Sequence, residues 1–221
     1  MEHDFWHNLW ANKEINFHEG EPNSLLVRHF SSLGLGRGDR VFLPLCGKSR
    51  DIAWLLEQGY RVAGAELNER AVEELFQELG IEPRVEEVDQ LHHYSAPDLD
   101  IYLGDIFQLS KRLLGPVQGV YDRAALVALP RDTRERYTAH LQEVTDTAPQ
   151  LLITFQYDQS KMEGPPFSIT SEEIESHYGD VFEIDQLESL SVQSFKGVVD
   201  ALESICRLSS KVRDSRDSRS S

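Results

Sequence analysis

The sequence predicts an α/β domain: a mostly parallel central sheet flanked by helices, with an antiparallel hairpin at its edge. Three observations carry this. Apolar runs of strand length alternate along the chain with amphipathic segments that have helix caps, the signature of parallel strands joined by helical crossovers. One such unit is legible in detail. Arg40-Val41-Phe42-Leu43-Pro44-Leu45 runs into a tight turn at Gly47, then an amphipathic segment Asp51–Glu57, then a second apolar run Tyr60–Ala65 that ends in the acid Glu66. Finally, 221 residues with 40% apolar and 27% charged side chains suit one well-buried core, expected over residues 1–208.

The elements follow in order. Residues 1–20 hold Phe5, Trp6, Trp10 and Phe17 with His7 and His18 between them; Trp6 and Trp10 are spaced to share one helix face. Residues 23–33 read as a second helix, and Gly34, Gly36 and Gly38 lead into the first strand. After Glu66, Asn68 is placed to cap a helix over Glu69–Leu79 that Gly80 closes. Residues 82–98 are acidic and irregular, with short strand-like pieces. Ile101–Asp105 is expected as a third strand with an acid at its tip, and Val117–Arg123 as a fourth. Asp132 with Glu135 resembles a capping box opening a helix to about Thr147, stopped by Pro149. Leu151–Tyr157 is a buried strand, and Thr170–Glu173 opens a helix ending at Gly179. Strands near Val181–Leu187 and Val198–Leu208 form the edge hairpin, and the Ser-, Arg- and Asp-rich tail 209–221 is expected to be disordered.

Composition narrows the partners. A net charge of −16 argues against nucleic acid and anionic membranes, which need a basic footprint, and points to a small molecule. Cys46 and Cys206 cannot make a disulfide framework, Met1-Glu2-His3-Asp4 has no signal-peptide character, and no apolar run approaches the roughly 20 residues that span a bilayer. The expectation is a cytoplasmic monomer.

The polar residues converge. Cys46-Gly47, Glu66, Asp105 and Asp122-Arg123 all fall at the carboxyl ends of predicted strands, where ligands bind in open α/β sheets. An acid about 20 residues after a glycine turn is placed to bond ribose hydroxyls. Gly47-Lys48-Ser49 is not a phosphate loop, because Phe42 stands where that motif needs glycine, and the further glycines of a dinucleotide fingerprint are absent. An adenosine ligand without phosphates fits better, S-adenosylmethionine being the common one. Read without a ligand, Glu66 is a strand-tip acid capping the next helix, and Asp122–Arg123 is a structural ion pair. Cys46 reads as a packing residue, and His92-His93, His3 and His7 lack companions at metal-ligand spacing, so no metal is expected.

Trp6-x-x-x-Trp10, Phe17-His18, Pro44-Leu45-Cys46-Gly47-Lys48, Gly64-Ala65-Glu66, Asp122-Arg123-Ala124-Ala125-Leu126-Val127-Ala128 and Gly164-Pro165-Pro166-Phe167, in this order, resemble the thiopurine S-methyltransferases, in their bacterial branch. The resemblance implies a Rossmann-like class I S-adenosylmethionine-dependent methyltransferase, with residues 1–33 as a helical cap over the active site. It implies S-adenosyl-L-methionine contacts from Trp10, Leu45, Gly47, Glu66, Asp105, Ile106 and Arg123. Phe17 and Arg123 would face the acceptor, and Trp6 would help cover the cofactor. Phe167 in Gly164-Pro165-Pro166-Phe167 reads either as part of an ordinary turn or as a lid residue against an aromatic acceptor, and the lid is the expectation. Arg123 is expected to hold an anionic heterocycle, with Asp122 orienting it or a bound water. Acceptors implied are thiopurine thiols and, in some members, selenium and tellurium compounds, a link to metalloid resistance. Two rivals share the βαβ unit: a nicotinamide-dependent oxidoreductase and a non-catalytic S-adenosylmethionine-binding protein.

Overall fold

The computed structural model describes residues 3–12, 20–192 and 200–211. Its centre is a nine-stranded sheet built from β1 (Arg40–Leu43), β2 (Arg61–Glu66), β3 (Arg84–Val88), β4 (Leu91–Ala96), β5 (Leu99–Leu103), β6 (Gly119–Arg123), β7 (Gln150–Gln156), β8 (Phe182–Val192) and β9 (Ala201–Ser210). They lie in the order β3-β4-β5-β2-β1-β6-β7-β9-β8. The five strands from β5 to β7 are parallel, and an antiparallel pair flanks them on each side. From β1 the chain moves outward to β2 and β5, then returns to the other side of β1 as β6. This reversal opens a crevice beyond the carboxyl ends of β1 and β6.

The α-helices among the described residues are α1 (His3–Ala11), α2 (Ser24–His29), α3 (Arg50–Glu57), α4 (Glu69–Leu79), α5 (Lys111–Leu114), α6 (Arg131–Thr145) and α7 (Ser171–Tyr178). Successive strand residues face opposite sides of the sheet, so β1 feeds two cores. Phe42 packs with Tyr137 and Leu141 of α6 and Tyr178 of α7. Val41 and Leu43 pack with Leu25 and Leu26 of α2, Ile52 and Leu55 of α3 and Val72 and Leu75 of α4.

The α4 expectation holds residue for residue: the Asn68 side chain accepts the Ala71 N–H at 3.3 Å, and Gly80 closes the helix at φ 67°. Other expectations are corrected. Residues 82–98 are an ordered hairpin, β3–β4, which makes the expected third strand the fifth. The alternation is poor because β3 is an exposed edge strand. The capping box does not form: Pro130 stands at the N-cap with no side-chain bond and leaves Asp132 in the first turn. A proline is tolerated there because the helix needs no N–H from it. The same helix ends at Thr145, with Asp146 left-handed at φ 56°, before Pro149 is reached. Strand β9 continues through Ser210, and Lys211 N–H reaches Val181 O at 2.8 Å, so residues 209–211 are paired; 212–221 lie outside the described residues. No helix among the described residues is long and apolar enough to cross a membrane.

Candidate active site

The turn after β1 leaves the sheet through two left-handed residues, Leu45 at φ 46° and Gly47 at φ 52°. Cys46 N–H donates to Ala65 O at 3.0 Å, which ties the turn to the end of β2. Glu66 then bridges two turns. Its Oε2 accepts the Gly47 N–H at 2.7 Å, and its Oε1 accepts the Leu67 and Asn68 N–H groups at 2.9 Å each. The residue is only 7% exposed. Burial raises its carboxyl above the usual range, and the three backbone donors act in the opposite direction. A carboxylate offers about four acceptor positions, so these bonds leave one, on Oε2. The two readings of Glu66, as a tie between turns and as a ligand group, are therefore compatible.

Gly47 is not open to solvent. A Cβ added there would lie 3.3 Å from Cζ2 of Trp10, whose indole is 4% exposed. Helix α1 thus lays Trp10 over the glycine turn, and Trp10, Gly47 and Glu66 form one cluster. Gly47→Ala would add both a tight contact and a left-handed penalty of about 1–2 kcal/mol. Urea denaturation should show a stability loss of that order, and an unchanged midpoint would contradict the packing described.

At the tip of β5, Gly104 N–H donates to Glu66 O at 2.8 Å, and this brings Asp105 and Ile106 beside the end of β2. Asp105 Oδ1 accepts the Phe107 N–H at 3.1 Å, capping a short turn in which Ile106 is buried. Leu45 packs on the same core face as Ile106.

The tip of β6 corrects one expectation. Asp122 does not orient Arg123, because neighbours on a strand point to opposite faces. Asp122 is fully buried on the α6 side, where it accepts the Tyr137 O–H at 2.6 Å and the Leu126 N–H at 3.1 Å. Burial pushes its carboxyl up to about 6. It fixes the turn that follows β6, including Ala124 at φ 62°. One carboxylate facing Arg123 is Asp51, in the first turn of α3: Oδ2 lies 3.9 Å from Arg123 Nη1 and accepts the Tyr121 O–H at 3.0 Å. Its Oδ1 accepts the Asn23 N–H at 2.7 Å. Sequence reasoning passed over Asp51. The available signal was its place four residues before the buried Leu55, on the apolar face of α3.

The remaining candidates separate cleanly. Phe167 N–H donates to Val127 O at 2.6 Å, so Phe167 is pinned to the turn after Arg123, with the Arg134 guanidinium 5.6 Å from its ring centroid. Tyr157 O–H holds Pro166 O at 2.6 Å. Trp6 is half-buried and edge-on to Phe5. Phe17 lies outside the described residues. Lys48 turns away to Glu74 and Glu78 of α4, at 2.9 and 2.6 Å. Cys46 is buried, and burial together with Glu66 raises its thiol well above the usual range, so it is a packing residue. His93 stacks on Tyr102 at 4.7 Å and bonds Asp100 at 2.8 Å.

Residues 1–212 match the family described as Thiopurine S-methyltransferase (TPMT). A Thiopurine S-methyltransferase from Xanthobacter autotrophicus is 54% identical, covering 93% of this chain and 97% of its own. Another from Teredinibacter turnerae is 46% identical, with coverages of 96% and 99%. Among solved structures, an S-adenosylmethionine-dependent methyltransferase from Anabaena variabilis superimposes with a TM-score of 0.65 at 17% identity, covering 93% of this chain and 94% of its own. A 1,6-didemethyltoxoflavin-N1-methyltransferase from Burkholderia thailandensis, with bound S-adenosylhomocysteine, gives 0.61 at 19% identity, with coverages of 93% and 86%. These two share the fold. The fold is Rossmann-like class I, S-adenosyl-L-methionine is the methyl donor, and the chain belongs to the thiopurine S-methyltransferase family.

Proposed function

We propose that this S-methyltransferase acts on the sulfur of flat heteroaromatic thiols such as thiopurines, and that the crevice beyond β1, β2 and β6 is where it does so. The observation that carries the reading is the cluster of Glu66, Gly47 and Trp10 at one side of that crevice, with the Arg123 guanidinium at the other. The spare acceptor position on Glu66 suits a ribose hydroxyl. Trp10, Leu45 and Gly47 would wall the methionine end, Asp105 and Ile106 would lie beside the adenine, and Arg123 would reach both donor and acceptor.

S-adenosyl-L-methionine supplies a methyl group already activated on a sulfonium. The chain's residues therefore have mainly to align acceptor and donor, a contribution of about 7–11 kcal/mol. A thiol with a solution pKa of about 8.5 is partly ionised at neutral pH, so a strong general base is dispensable. Arg123, with its side chain 13% exposed, would favour the anionic heterocycle, while Phe167 and Phe17 would exclude water. Asp122, held against Tyr137, is assigned the turn and no proton transfer. Selenium and tellurium compounds, also soft nucleophiles, are proposed as further acceptors for the same in-line transfer. The charge of −16 supports an acceptor that is not a polyanion.

The test is a screen of thiols, selenite and tellurite with labelled S-adenosylmethionine, run beside calorimetry with S-adenosylhomocysteine and NADH. Methylated thiopurine is the expected product. Binding of NADH in place of S-adenosylhomocysteine would favour the oxidoreductase, and cofactor binding without transfer to any acceptor would favour the non-catalytic protein. Arg123→Ala should raise the thiol KM or lower kcat by about tenfold, the loss of one charge-assisted contact. Unchanged kinetics would remove Arg123 from the mechanism.

A further inference from the structure

We propose that Asp51 is a positioning residue for Arg123: a fixed carboxylate that sets the guanidinium's direction and through it the affinity for the methyl acceptor. The inference rests on the reading above, in which Arg123 faces that acceptor.

Asp51 is 1% exposed, and its two oxygens are held from different parts of the chain. Asn23, whose side chain caps α2 by accepting the Leu25 and Leu26 N–H groups at 2.9 and 3.3 Å, gives its own N–H to Oδ1 at 2.7 Å. Tyr121 gives its O–H to Oδ2 at 3.0 Å. Both donors are neutral, and Arg123 Nη1 is a cation placed against Oδ2, at 3.9 Å. Tyr121 and Arg123 are two apart on β6 and share a face. The carboxylate that steers the guanidinium is thus itself fixed from the same strand.

A wholly structural carboxylate would not need this last neighbour. In Asp51→Asn the oxygen can still accept from Asn23, and the new NH₂ can donate to the Tyr121 oxygen. The substitution keeps the shape and removes the charge, and what it changes is the field at Arg123. That field is strong because both groups are shielded from water. Loss of the anion weakens the field that holds the guanidinium toward the acceptor.

The test is a double-mutant cycle on the full chain: wild type, Asp51→Asn, Arg123→Ala and the pair. It reads the KM and kcat for an aromatic thiol and the calorimetric Kd for S-adenosylhomocysteine. Asp51→Asn is expected to raise the thiol KM about tenfold, within the range for coupled neighbours, and to weaken S-adenosylhomocysteine clearly less, because the donor keeps its contacts at Glu66, Gly47 and Trp10 while the acceptor depends on Arg123. The pair should be no worse than Arg123→Ala alone. An equal Asp51→Asn factor in both backgrounds, or equal weakening of thiol and S-adenosylhomocysteine, would overturn the proposal. If Asp51→Asn does not fold, Tyr121→Phe removes one of the carboxylate's holders and should raise the same KM only when Arg123 is present. No rise would overturn it equally. Failure of the underlying reading looks different: Arg123→Ala alone would then leave the thiol KM unchanged in an active enzyme.

Discussion

Glu66→Ala is expected to weaken S-adenosylhomocysteine binding by about 100-fold, close to 2.7 kcal/mol. Hydrogen bonds to a charged group contribute about 1.5–3 kcal/mol each, and a ribose offers two hydroxyls to one carboxylate. The same change removes the acceptor of the Gly47, Leu67 and Asn68 N–H groups, so two turns lose their common tie. That second loss should lower stability by about 1–3 kcal/mol, less where water enters to bond the freed donors. The two effects are separable. Glu66→Gln can keep its oxygen on the Leu67 and Asn68 donors, but then sets its NH₂ against the Gly47 N–H. It should therefore loosen the glycine turn while leaving the β2 end intact. Calorimetry on both variants, with thermal melts to confirm cooperative unfolding, decides the matter. If Glu66→Ala bound S-adenosylhomocysteine within threefold of wild type, Glu66 would be a tie between turns and nothing more.

What the sequence made legible follows from how local the physics is. Asn68 and Gly80 bound α4 because cap chemistry acts within one helical turn. The pairing of Gly47 with Glu66 is also local, a strand, a turn and a strand, and the 2.7 Å bond between them is the structural form of that spacing. Asp51 illustrates the opposite case: its partners Asn23, Tyr121 and Arg123 come from three distant segments that only the folded sheet brings together. Residues 84–96 carry little strand signal because an edge hairpin with one exposed strand loses the alternation that marks a buried one. Asp122 differs again. Its separation from Arg123 was available in principle, since adjacent strand residues cannot share a face. The buried acid belongs to the α6 side and the guanidinium to the α3 side.

That division gives Asp122 a distinct signature in pH. Asp122→Asn is expected to gain stability relative to wild type as pH rises from about 4 to about 6, and to hold that gain above. The sign follows from the direction of the shift. In the unfolded chain the group titrates near 3.8, whereas burial lifts it to about 6 in the native state. Between those values the native state binds a proton that the unfolded state has released, so stability falls with increasing pH. The contribution is fully present below about 4 and is lost through about 6. The interval of roughly 2.2 units corresponds to about 3 kcal/mol at about 1.36 kcal/mol per unit. An asparagine has no proton to exchange, so the difference between the two proteins isolates this group from every other acid in a chain of charge −16. Tyr137→Phe tests the cause. The phenol O–H donated at 2.6 Å favours the ionised carboxyl, so its removal should move the native titration upward and extend the window to higher pH. The measurement is urea denaturation of the three proteins from pH 4 to 8. A wild type minus Asp122→Asn difference that stayed flat across this range would mean that Asp122 ionises in the fold as it does in water, and the buried Tyr137 contact would lose its assigned role in holding the turn behind Arg123.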